Sequence, residues 1–124
     1  MDQGMKIGGA VAEKSEDFAV RIINLCKYLR HERGEYVLSR QLLRSGTSIG
    51  ANIAEAQRAQ SRPDFHSKMS IALKEASETF YWLRLLARTG YLTESEFSSI
   101  YKDTDELLRI LTAICKTTVM VKKR

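Results

Sequence analysis

The chain has 124 residues, 44% apolar and 28% charged, with one proline and seven glycines, a composition ordinary for a single globular domain. No apolar run approaches the roughly 18 residues that cross a bilayer, so no membrane-spanning helix is expected. The net charge of +5 directs attention to acidic partners, of which nucleic acid is the commonest.

Residues 1–14 are glycine-rich without a sustained period and are expected to form a flexible arm. No apolar signal-peptide core is evident there, and the expected location is the cytoplasm. Ser15 reads as the cap of a first helix, with Glu16 and Asp17 in its first turn. Phe18, Ile22, Leu25, Cys26 and Leu29 form its core stripe, and Gly34 ends it after the basic cluster Arg30, His31 and Arg33. That cluster is expected on dipole grounds alone.

The second helix follows a short turn at residues 34–37 and covers about 38–58. Leu42, Ser45, Ile49, Ile53 and Ala56 share its core-facing stripe. One flank carries Gln41, Arg44, Ser48, Asn52 and Glu55. The other carries Gly46, Gly50 and Ala54 at i, i+4 and i+8. Each interior glycine disfavours the helix by roughly 1 kcal/mol against alanine, which close approach of another helix offsets. That neighbour is either another helix of the same bundle or one from a second subunit. The polar flank is a solvated edge, a buried network that fixes register, or a ligand site. If Asn52 bonds across a buried seam, Asn52→Leu strands its partner.

Ser61-Arg62-Pro63-Asp64 reads as the start of a third helix over 62–89, with Ser61 as cap and Pro63 in the first turn. Its expected core stripe is Phe65, Met69, Ala72, Ala76, Phe80, Leu83 and Ala87. Ile71, Trp82, Leu85 and Leu86 form a second apolar patch that calls for a partner. Gly90 closes the helix. Thr93-x-x-Glu96 is a capping box opening a fourth helix over 94–120, with Phe97, Tyr101, Thr104, Leu108, Leu111, Cys115 and Val119 as its stripe and Ile100, Leu107 and Ile114 widening it. Residues 121–124 form a basic tail. Four helices with short connections make an all-α, up-down-up-down four-helix bundle.

Catalytic signatures are absent. Neither His31 nor His66 follows a glutamate by three residues, as a di-iron bundle site requires; Tyr28 and Pro63 stand there. Two cysteines and two histidines lack zinc-ligand spacing, and Cys26 and Cys115 are expected as buried, reduced hydrophobes. No phosphate loop is present. No cofactor, metal or enzymatic activity is expected.

The run Gln41 to Ala56, with Phe65, Ala72-Leu73-Lys74-Glu75-Ala76, Glu78, Tyr81-Trp82-Leu83 and Leu86, closely resembles the bundle proteins of the 23S rRNA intervening-sequence family, open reading frames first met inside insertions in bacterial large-subunit rRNA genes. The resemblance covers about residues 15–120. Many members carry glycine where this chain has Ala56, and alanine also permits close packing. The family implies a left-handed four-helix bundle that assembles into a ring-like homopentamer. It also implies a distant similarity to the accessory variability protein of diversity-generating retroelements, a basic pentameric barrel that binds a reverse transcriptase and nucleic acid. On this basis Arg44, Ser48, Asn52, Glu55, Glu75, Glu78 and Trp82 are structural or interfacial residues. The expected function is a non-enzymatic homo-oligomer that binds RNA or another nucleic acid through Arg40, Arg58, Arg62, Lys122, Lys123 and Arg124. The alternative is a scaffold or accessory subunit with a protein partner.

Overall fold

The computed structural model describes residues 8–122, with side chains from Gly9 to Val119. Four α-helices follow one another: α1 (Gly8–Arg33), α2 (Leu38–Ala56), α3 (Arg62–Arg88) and α4 (Glu94–Lys122). No strand occurs among the described residues, and no helix there is long and apolar enough to cross a membrane. Each helix packs chiefly on the helix next to it in sequence. Of the four seams between neighbouring helices, α1–α4 is the thinnest, so the bundle is least tightly closed there.

The local signals act as their chemistry requires. Ser61 caps α3 by accepting from Asp64 N–H at 3.1 Å, with Pro63 in the first turn. The Thr93–Glu96 box closes in both directions, at 2.8 and 3.1 Å. Gly34 and Gly90 adopt φ +64 and +85, the left-handed conformation that disfavours a side chain at a helix end.

The N-terminal arm and the cap at Ser15 are corrected: α1 is helical from Gly8, so residues 8–14 belong to the bundle. Ser15 lies mid-helix, buried, with its hydroxyl donating to Ala12 O at 2.9 Å. The arm's first seven residues lie outside the described ones, as do the side chains of Lys122, Lys123 and Arg124 in the basic tail.

The core follows a 3.5-residue repeat. On α3 the buried residues are Phe65, Met69, Ala72, Ala76, Thr79, Leu83 and Leu86, spaced four and three alternately. That period winds helices left-handedly about one another. Thr79 and Leu86 therefore turn inward where a 3.6-residue wheel places Phe80 and Ala87. Leu86 is fully buried inside one bundle, and Trp82 and Leu85 are half-buried, so the second patch has much of its cover within the chain. On α4 the same shift buries Ile100, Leu107 and Ile114 and leaves Tyr101 exposed. Two fully buried hydroxyls, Ser45 and Thr79, meet at 2.9 Å across α2–α3.

Both cysteines are buried and unpaired. Burial pushes the Cys26 thiol up to about 11, and that of Cys115 upward as well. Burial thus favours the neutral thiol at both positions.

Candidate functional site

The two flanks of α2 have different neighbours. The glycine flank packs against α1: a Cβ placed on Gly46 lies 2.8 Å from Ile22 Cγ2, and one on Gly50 lies 3.3 Å from Ser15 Oγ. The close approach that the glycines permit is therefore between α1 and α2 of one chain.

The polar flank faces α3. Arg44 reaches across to Glu75 at 3.3 Å and to Glu78, whose carboxylate also accepts from Trp82 Nε1 at 3.0 Å. Further along, Lys68 of α3 meets Glu55 at 2.7 Å. The Glu55 carboxylate holds the Lys68 ammonium above its ordinary pKa, first by the hydrogen bond and then by charge. Ser48 and Asn52 turn back on their own helix, to Arg44 O at 2.7 Å and Ser48 O at 2.9 Å. Five of the seven motif residues, Arg44, Glu55, Glu75, Glu78 and Trp82, are thus bonded along one edge of α2 and α3, with Arg44 bracketing two carboxylates and Glu55 bonded to a lysine. The edge is open to water: the Arg44 and Glu55 side chains are 49% and 59% exposed. It pins α2 to α3 by charge, and each carboxylate on it is already bonded to a cation.

A buried seam at Asn52 is not what forms. Its amide bonds locally and is half-exposed, so Asn52→Leu is expected to shift stability by no more than about 0.5 kcal/mol. Urea denaturation of the variant checks this.

The proposed cations do not converge. Arg40 stands near the start of α2 and Arg58 just beyond its end, so about 27 Å of helix separates them. Both are exposed, and neither forms an ion pair among the described residues. Arg62 is exposed near Arg58 and has a partner of its own. Lys74, Tyr81, Arg84 and Arg88 are not among the nucleic-acid contacts expected from the sequence. They are exposed on α3 at i, i+7, i+10 and i+14, a stripe directed away from the core, and their three cations form no ion pair there. The signal that finds them is the solvent side of the same heptad wheel, which draws less attention than its apolar side.

Two clefts of about 400 and 460 Å³ lie between α1 and α4. Arg21 spans them, bonding Asp103 at 2.6 Å and Ser99 O at 3.2 Å.

Residues 9–113 match the family described as 23S rRNA-intervening sequence protein. Among solved structures, the chain is similar to a protein with unknown function from the S23 ribosomal protein family of Bacteroides thetaiotaomicron VPI-5482. The two are 55% identical with a TM-score of 0.87, over 89% of this chain and 98% of the other. No curated protein matches the chain.

Proposed function

The chain belongs to the 23S rRNA-intervening sequence protein family, and from that premise we propose that it is a non-enzymatic, homo-oligomeric bundle that binds RNA or another nucleic acid through its basic surface. The observation that carries the reading is a group of exposed cations with no carboxylate partner among the described residues, Arg40, Arg58, Lys74, Arg84 and Arg88 among them. Cations left unpaired by the fold remain available to phosphates, and each phosphate neutralised releases a counterion. Assembly into a ring repeats the +5 charge in every subunit. The exposed Val20, Ile23 and Ile71 supply apolar surface for such assembly, of the pentameric kind that the resemblance implies. The α2–α3 edge keeps a structural role, since its carboxylates are held by cations. The protein is read as cytoplasmic, which agrees with two buried, unpaired thiols.

Filter binding with a structured RNA tests the reading. Binding is expected at about 50 mM salt and is expected to weaken by orders of magnitude toward about 200 mM. No retention at the lower salt overturns it. Light scattering tests the assembly, where a monomer mass removes the ring.

A protein partner is the second reading, favoured by the open seam between α1 and α4, where two clefts lie side by side. Stoichiometric recovery of one protein from nuclease-treated lysate supports it.

A further inference from the structure

An aromatic strip runs along the outer side of α3 and α4. The ring centroids of Phe80 and Tyr101 are 5.0 Å apart, and those of Phe97 and Tyr101 are 5.7 Å apart. Tyr81 extends the strip around α3, edge-on to Trp82 at 5.1 Å. Trp82 and Phe97 pack against the core, whereas Phe80, Tyr81 and Tyr101 do not belong to that packing. Tyr81 is 46% and Tyr101 38% exposed, and neither hydroxyl has a hydrogen-bond partner among the described residues. These rings are more than a lid on the core.

The Arg84 guanidinium lies over Phe80, 4.9 Å from its centroid, and 5.9 Å from that of Tyr81. Lys74 and Arg88 stand on the same stripe of α3, one on either side of it. Three of the nearby carboxylates are engaged, while Glu94, seven residues before Tyr101, is exposed with no such partner among the described residues. Arg44 and Trp82 hold Glu78, Arg109 holds Asp105 at 2.9 Å, and the Thr93 amide bonds Glu96. The strip therefore combines exposed ring faces with cations that have no internal counter-charge.

We propose that this face binds single-stranded nucleic acid, with unpaired bases stacking on Tyr81 and Tyr101 while Lys74, Arg84 and Arg88 hold the phosphates. The proposal rests on the nucleic-acid reading above and narrows it to unpaired strands. A duplex presents backbone and groove edges and keeps its base faces covered, so exposed rings favour a single strand. Arg84 also offers a planar cation on which a base can stack.

Fluorescence anisotropy with an unstructured oligoribouridylate of roughly 16 nucleotides, set against a duplex of equal length, tests it. Wild-type protein is expected to prefer the single strand. The double variant Tyr81→Ala/Tyr101→Ala is expected to lose at least tenfold in single-strand affinity while duplex affinity and melting temperature stay unchanged. Tyr81→Phe/Tyr101→Phe retains both rings and restores binding. Arg84→Gln/Arg88→Gln flattens the dependence of log affinity on log salt by about 1.4. Wild-type single-strand affinity in the alanine variant overturns the proposal, as does equal binding of duplex and single strand. In either case, if the duplex is bound, the broader reading survives. If neither nucleic acid binds at about 50 mM salt, both fall together.

Discussion

Glu35→Ala is expected to destabilise the bundle by about 3 kcal/mol, a large share of a small domain's stability. The reason lies at the turn between α1 and α2. Helix α2 begins after Val37 without a side-chain cap from that residue. Its first amides turn instead to the buried Glu35 carboxylate, which accepts from Val37, Leu38 and Ser39 at 3.2, 2.8 and 2.7 Å. The Ser39 hydroxyl returns a bond to Glu35 O at 2.9 Å, and Glu35 N–H closes the end of α1 on Leu29 O at 2.9 Å. One residue thus ends one helix and starts the next. Truncation leaves the opening amides of α2 without acceptors, including that of fully buried Ser39. Glu35→Gln recovers only part of the loss, because its amide nitrogen is a donor facing donors. Urea midpoints of the two variants, with alanine the lower, check this; a midpoint unchanged in Glu35→Ala refutes the role.

Gly46→Val is expected to destabilise by about 3 kcal/mol or more through overpacking. The added Cβ meets Ile22 at Cγ2, Cγ1 and Cβ, at 2.8, 3.0 and 3.3 Å. Ile22 is fully buried, and its own Cβ is among the atoms struck, so rotation does not clear the contact. Either α1 withdraws from α2 or the valine strains. Gly46→Ala is milder, near 1–2 kcal/mol net, because improved helix propensity offsets about 1 kcal/mol of the clash. Ile22→Ala alone leaves a cavity and costs roughly 2–4 kcal/mol. Combined with Gly46→Ala it removes the two nearest struck atoms, Cγ2 and Cγ1, and leaves only the Cβ contact at 3.3 Å, so the double variant is expected to lose less than the sum of the two. Additive losses in a double-mutant cycle contradict a direct contact between these positions.

Much of this architecture is legible in the chain, and its failures have identifiable causes. Ser61, Pro63 and the Thr93–Glu96 pair mark helix starts because their chemistry acts within four residues. Ser15 misleads because a serine packed under a close helix crossing has the same short polar side chain as a cap; only its contact with Gly50 separates the roles. On α3, a wheel at 3.6 residues drifts by about 20° per heptad from the true seam, enough to exchange Thr79 for Phe80 and Leu86 for Ala87. That drift also created much of the apparent surplus of apolar surface. Glu35 went unnoticed because its partners are backbone amides, which carry no letter in the sequence. The pairing of Arg44 with Glu75 and Glu78 was visible as composition, but whether it lay open or sealed depends on how closely α2 and α3 approach.

The weak closure between α1 and α4 has a consequence for how the molecule forms. Each extensive seam joins helices adjacent in the chain, whereas the α1–α4 seam, whose contacts span some 80–90 residues, is thin, and its side-chain bonds are those of Arg21 with Ser99 and Asp103 and of Lys14 with Glu106. Little entropy of long-loop closure therefore stands in the way of the native state, and mean contact order is low. Such a topology favours rapid folding, with successive hairpins zipping as the polypeptide emerges and the last helix docking without a distant search.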